Sequence, residues 1–229
     1  MAFNEVAFNI YKNILIHKID EIIINSNNNF SICSQFQLPS SQSIVSQLGF
    51  KTENAINDFL NTLQGVTNLK FNTYRINNHQ IDILFCHKNR IYYFESKINM
   101  NMDTEKSSKS KDKLNNIEIY LKQNYPGKKI TCKFLNMWEH TSKNMNYLKN
   151  SIKKQDVYGY FDFFKIFGIQ VPKNEYNNLF NVVKQKLNNL STSQNNTIIN
   201  ANVDKYKHLS LTRQHTLLKR KYDEFANVN

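Results

Sequence analysis

Apolar and polar positions are most sharply patterned in the middle of the chain. Gln80–Phe85 reads Gln-Ile-Asp-Ile-Leu-Phe, and Ile91–Ile98 reads Ile-Tyr-Tyr-Phe-Glu-Ser-Lys-Ile. Both runs are rich in β-branched and aromatic residues. His87-Lys88-Asn89 between them suits a tight turn, so 80–86 and 90–97 are expected to form a β-hairpin. Helical periods flank it. Thr52 is a fair N-cap for a helix with Ile56, Phe59, Leu60 and Leu63 on one stripe. Leu69–Arg75 reads as a strand leading into the hairpin. Residues 104–123, carrying Leu114, Ile117, Ile119 and Leu121, read as a helix stopped by Pro126-Gly127, and Ile130–Leu135 as another strand.

Toward the ends the pattern is looser. Residues 3–25 predict a first helix with Val6, Ile10, Ile14, Ile19 and Ile22–Ile24 apolar. Residues 26–43, rich in Ser, Asn and Gln and containing Pro39, read as a loop, and Ile44–Leu48 as a short helix. Residues 174–190 make an amphipathic helix through Tyr176, Leu179, Val182, Val183 and Leu187. Residues 191–204 are polar, a flexible connection. The division expected is 1–48 as a helical extension, 49–136 as a core, 137–190 as aromatic and helical additions, and 191–229 as a basic tail.

Asp82, Glu95 and Lys97 interrupt strands that otherwise look buried, and charges are rarely buried without a partner. Side chains alternate along a strand, so Tyr93, Glu95 and Lys97 share a face, with Glu95 and Lys97 about 7 Å apart along it. Asp82 lies on the neighbouring strand. Two acids beside an amine suit Mg²⁺ and phosphodiester hydrolysis. Mg²⁺ keeps several waters, so Asp82, Glu95 and one backbone carbonyl, that of Ser96, suffice as protein ligands. Lys97 would orient or help deprotonate the attacking water, or stabilise the transition state. The plainer alternative is a strand-edge Asp82 and a same-face Glu95–Lys97 ion pair.

Charge narrows the partners. Thirty Lys and Arg against eighteen Asp and Glu give a formal net charge of +12. Such an excess favours polyanions. Lys106, Lys109, Lys111 and Lys113 follow the proposed site. Lys143, Lys149, Lys153 and Lys154 form a second group, and Lys205, Lys207, Arg213, Lys219, Arg220 and Lys221 a third. Lys far outnumbers Arg, as AT-rich codon usage also produces, so a solvated basic surface is the competing explanation. Stretch 205–225 is weakly helical through Leu209, Leu211, Leu217, Leu218 and Tyr222, and could pack back, lie on DNA or fold on binding. Val157–Phe167 holds six aromatics in eleven residues. These either close the core or stack on bases, with Tyr158 and Tyr160 beside Gly159 as the expected exposed members.

Other classes recede. No run matches a membrane span, and Ile10–Ile24 is broken by charges, unlike a signal peptide. Cys33, Cys86 and Cys132 show no zinc spacing and suggest a reducing, cytoplasmic setting. No Gly-rich loop is present to cradle a nucleotide cofactor. His79 and His87 lack the spacing of a ββα-metal site. Trp138-Glu139-His140 reads more readily as a strand-end boundary than as a substrate contact.

The order of helix, strand, Asp-bearing strand, Glu-x-Lys strand, crossover helix and further strand over residues 50–136 resembles the PD-(D/E)XK nuclease superfamily, which includes most restriction endonucleases. Glu95-Ser96-Lys97 fits (D/E)-x-K fully; Ile81 stands where Pro often precedes the Asp. The resemblance implies an α/β (α+β) restriction-endonuclease-like core, with a mixed central sheet of about four or five strands flanked by helices and extra N- and C-terminal helices. The last strand is expected to pair in parallel. Glu53 corresponds to the helix acid that some members use as a further metal ligand, and its alternative is a helix-N-terminal Glu favoured by the macrodipole. Asp58 is a weaker candidate. The implied activity is a Mg²⁺-dependent, sequence-specific double-stranded DNA endonuclease of type II restriction kind, in which Mn²⁺ can substitute. A homodimer matches a palindromic site. Base contacts are expected from the Lys-rich helix after Glu95 and from 137–168. The first helix would serve as a dimer interface or pack on the core. Alternatives are a structure-specific repair or recombination nuclease and an inactive DNA-binding module on the same fold.

Overall fold

The computed structural model describes residues 4–33, 41–70, 73, 75–98, 100, 102–141 and 152–187. The chain divides into two units, Met1–Lys184 and Gln185–Asn229, and the first holds the sheet and the candidate site. Two long helices open it, α1 (Glu5–Cys33) and α2 (Ser41–Thr62). Then come β1 (Val66–Asn68), the short pair β2 (Arg75–Ile76) and β3 (His79–Gln80), and the hairpin of β4 (Ile83–His87) and β5 (Arg90–Ser96). Helix α3 (Thr104–Asn124) leads to β6 (Lys129–Asn136). Strand β7 (Val157–Gly159), α4 (Tyr160–Ile166) and a helix α5 over 173–187 complete it.

The main sheet is five-stranded and mixed, in the order β1-β4-β5-β6-β7. β4 runs antiparallel to both of its neighbours, β1 and β5, whereas β6 runs parallel to β5 and β7 parallel to β6. The hairpin closes through Lys88 and Asn89, both at positive φ (47° and 58°), the geometry of a two-residue type I′ turn. Helix α3 provides the crossover that parallel pairing demands. Asp103 caps it, its carboxylate accepting from the Lys106 amide at 2.7 Å.

Strand alternation sorts the core between the two faces of the sheet. Leu84, Ile91, Tyr93, Cys132 and Phe134 pack with Leu114, Ile117 and Leu121 of α3. Phe85 and Phe94 meet Phe163 from the opposite side, where Phe8 and Tyr11 of α1 and Phe59 of α2 surround Phe164 of α4. The mixed sheet flanked by helices agrees with the expected architecture.

Several expectations are corrected. Thr52 is not an N-cap: α2 starts at Ser41, and the Thr52 hydroxyl donates back to the Leu48 carbonyl at 2.7 Å inside a continuous helix. Helix α1 runs on through the Asn- and Ser-rich stretch to Cys33. Propensity differences among such residues are tenths of a kcal/mol, too small to end a helix. The first sheet strand lies earlier than Leu69–Arg75, because the chain turns at Gly65 (φ 73°) and Val66 already pairs with His87. Asp82 sits just before β4 rather than within it. The buried stripe of α1 is Phe8, Tyr11, Leu15, Ile19 and Ile22, while Val6 and Ile10 face outward. Ile119 and Val182 are likewise outward-facing. The start of the aromatic run, Val157–Gly159, adds the edge strand β7, which the sequence pattern does not predict. Residues 34–40, 142–151 and 188–229, with Lys143, Lys149 and the basic tail, lie outside the described residues. No described helix is long and apolar enough to cross a membrane.

β7 passes into α4 where two backbones nearly touch. A Cβ on Gly159 would stand 2.4 Å from the His140 carbonyl oxygen and 2.5 Å from that of Glu139. Those carbonyls accept from the amides of Phe161 and Tyr160 at 3.1 and 2.9 Å, so they are not free to move. Gly159→Ala is therefore expected to cost about 1–3 kcal/mol or more in unfolding free energy. A denaturant midpoint equal to wild type would refute this packing.

Candidate active site

The hairpin brings Asp82 and Glu95 to the same end of the sheet. Ile83 pairs with Phe94, so Asp82 falls level with Glu95 and Ser96. The Ser96 amide donates to Asp82 Oδ2 at 2.9 Å. The next amide, that of Lys97, donates the other way, to Leu135 of β6 at 2.9 Å. Alternation therefore sends the Ser96 carbonyl toward the Asp82 side of β5. Helix α2 anchors the Asp82 backbone: buried Asn57 donates through Nδ2 to the carbonyls of Asp82 at 3.0 Å and Glu53 at 2.9 Å.

Glu95 is 4 % exposed and crowded by donors. Tyr93 Oη donates to its Oε2 at 2.6 Å and Lys97 Nζ to its Oε1 at 2.7 Å. The face shared by Tyr93, Glu95 and Lys97 is thus realised. A further lysine completes the group. Lys113, reaching from α3, places Nζ 2.5 Å from Glu95 Oε2 and 3.7 Å from Asp82 Oδ1. Glu53, in the middle of α2, is paired with Lys70.

The electrostatics are those of carboxylates withdrawn from water. Burial, reinforced by the charge of Glu95, raises Asp82 to about 7. Burial also pushes Glu95 up, but Lys97 and Lys113 outweigh it and hold that carboxyl below its ordinary value. Burial raises Glu53 against the pull of Lys70, with Glu95 adding to the rise. Burial and the adjacent Glu95 push the Tyr93 phenol far above its usual range, so it remains a donor.

A pH dependence follows. An acid raised on folding contributes stability below its unfolded value, and this is lost as pH rises through the folded value. For Asp82 the window runs from the ordinary aspartate range to about 7. The depressed Glu95 acts oppositely, but below the ordinary glutamate range. Metal-free wild type is therefore expected to lose more stability than Asp82→Asn between pH 5 and pH 8. Thermal unfolding at both values checks this; parallel losses would contradict it.

The remaining candidates scatter. Lys106 and Lys109 are exposed on α3, paired with Asp103 at 3.1 Å and Glu105 at 2.5 Å. Lys111 turns to Asp156 at 2.9 Å. Asp58 pairs with Lys18 of α1 at 3.2 Å. Tyr158 is half-buried against Phe94. The expected exposure of Tyr160 is corrected: it is 2 % exposed and stacked on Tyr176 with ring centroids 3.6 Å apart. The aromatic run contributes Phe163 and Phe164 to the core. Trp138-Glu139-His140 forms the boundary between β6 and the partners of α4.

Asp82 and Glu95 both approach one Nζ, which marks the spot between them as one that takes a positive charge. Two carboxylates and the Ser96 carbonyl are hard oxygen donors, a set that fits Mg²⁺ with water completing the shell. Glu53 is drawn to Lys70 instead, and among the described residues no group of three His, Cys, Asp or Glu side chains is gathered for a metal. Lys113 and Asn57 are the members that sequence reasoning did not place here. The signal for Lys113 was its position four and eight residues before Ile117 and Leu121, at the head of a buried stripe.

The chain matches no family model, no curated protein and no solved structure.

Proposed function

We propose that this chain is a Mg²⁺-dependent double-stranded DNA endonuclease with a PD-(D/E)XK core, acting as a homodimer in the manner of a type II restriction enzyme. The observation that carries the reading is the convergence of Asp82 and Glu95 on one cationic position, with Lys97 on the far oxygen of Glu95. The mixed sheet supports it, because the acids arrive from an antiparallel hairpin whose second strand pairs in parallel with the strand after the crossover helix. The net charge of +12 favours a polyanionic substrate.

Asp82, Glu95 and the Ser96 carbonyl would hold the ion, with Glu53 joining if released from Lys70. When bound, Mg²⁺ supplies Lewis acidity at the phosphate and acidifies water. The chain's own groups do the rest. The Ser96 amide fixes Asp82, and Tyr93 fixes the Glu95 carboxylate. The Lys97 ammonium stands where it can orient the attacking water and stabilise charge building on the phosphate oxygens. Lys106 and Lys109 are exposed in the first turns of α3, suited to the DNA backbone.

The test is incubation of the purified protein with unmethylated bacteriophage DNA, with and without Mg²⁺. Discrete fragments in Mg²⁺ alone are the expected result. A smear would move the reading to a non-specific or structure-specific nuclease. Intact DNA at every Mg²⁺ concentration would sink it.

A further inference from the structure

Lys113 is the one side chain among the described residues shown within ion-pair distance of both Asp82 and Glu95. Among the described residues, Lys97 forms its ion pair with Glu95, on the other oxygen. The two lysines also differ in origin. Lys97 follows β5 directly, its amide tied to Leu135 and its side chain on the Glu95 face. Lys113 comes from the crossover helix, whose backbone is fixed beneath it by Leu114, Ile117 and Leu121. Its own long stem is the adjustable part. The side chain is 17 % exposed, so it is not sealed in.

We propose that Lys113 is a built-in counter-ion that occupies the cation position between Asp82 and Glu95 and must leave when a divalent metal enters. This inference rests on the metal-site reading above and deepens it. The physical reason is charge. Two carboxylate oxygens directed at one position make it a place of negative potential, which a cation fills. An ammonium supplies one charge from within the chain. A divalent ion supplies two, and adds direct oxygen coordination. Both cannot occupy one place, so the ion's affinity is reduced by whatever the Lys113 contacts contribute.

The helix gives the displaced ammonium a destination. Lys109 and Lys106 lie four and seven residues before Lys113, hence on the same side of α3, and both are exposed. Released from the carboxylates, Lys113 extends that row toward a bound phosphate backbone. Metal loading would thus both complete the site and add a positive charge to the face that meets DNA. A metal-free protein would keep that lysine on its own acids.

Two measurements test this without relying on cleavage. The first is calorimetric titration of wild type and Lys113→Met with Mn²⁺ in the absence of DNA. Removing the competitor is expected to tighten binding by about tenfold, the factor a single charge-assisted hydrogen bond carries. Equal or weaker binding by the variant would overturn the inference and leave Lys113 a structural partner. If neither protein binds Mn²⁺, the inference and the metal-site reading fail together. The second uses wild type alone, so it stands even where the variant does not fold. Lysines are acylated with an amine reagent, with and without Mg²⁺, and each site is followed by mass spectrometry. Labelling of Lys113 is expected to rise severalfold on Mg²⁺ addition while that of Lys106 and Lys109 stays level. Unchanged or reduced labelling of Lys113 would overturn the inference.

Discussion

Asp82→Asn is expected to reduce Mg²⁺-dependent DNA cleavage by about 10³-fold or more. Metal chemistry supplies several kcal/mol of transition-state stabilisation, and each ~1.4 kcal/mol is a decade in rate. The substitution keeps the size of the side chain. The amide oxygen can still accept from the Ser96 N–H, so the foot of β4 should keep its place. What is lost is the charge. A folding explanation predicts something else, namely a loss of stability. Here the sign runs the other way. Asp82 is a carboxylate whose burial beside Glu95 opposes ionisation, so neutral Asn removes a repulsion that metal-free wild type carries at pH 8. The expected pair of results is thus lost cleavage with unfolding temperature held or raised. Loss of both together would place Asp82 in the scaffold instead of the chemistry. Unchanged cleavage would remove it from the site altogether.

Phe164→Ala is expected to cost about 3–5 kcal/mol of unfolding free energy, the range for emptying a fully buried aromatic. Stability of a domain totals about 5–15 kcal/mol, so the variant would sit near the edge of folding. Phe164 is fully buried and joins elements from distant parts of the chain. Its ring lies 5.8 Å from Phe8 and 5.2 Å from Tyr11 of α1, 5.7 Å from Phe59 of α2 and 5.6 Å from Phe163. All four contacts are edge-on, the preferred aromatic geometry. The prediction separates two roles for the first helix. If α1 were only an outlying dimerisation arm, Phe164 would be half-solvated and the loss small. Equilibrium denaturation decides: a cost below about 1 kcal/mol would contradict the packing of α1 onto α4.

The contrast between these residues explains what could be read from sequence. Asp82, Glu95 and Lys97 were legible because strand period and a two-residue turn fix their faces without reference to the rest of the fold. The parallel pairing of β6 with β5 agrees with what the resemblance implied, and the crossover helix between them is what permits it. From sequence Lys113 belongs with Lys106, Lys109 and Lys111 to one basic, DNA-contacting group, because nothing in their spacing sets one of the four apart. Only the packing of α3 on the sheet decides which of the four turns inward. Thr52 misled for a related reason. A threonine before an apolar stripe has the chemistry of an N-cap, and tertiary support carried the helix through it to Ser41. The run Tyr158–Phe167 kept two readings open in sequence, since aromatics are equally suited to a core and to bases. Burial of Phe163, Phe164 and Tyr160 assigns most of it to the core.

The most direct measurement is conversion of supercoiled plasmid DNA by wild type and Asp82→Asn, side by side, in Mg²⁺. The account predicts that wild type cuts the plasmid and that the variant leaves it supercoiled over the same period. Equal cutting by both proteins, or by neither, would contradict it.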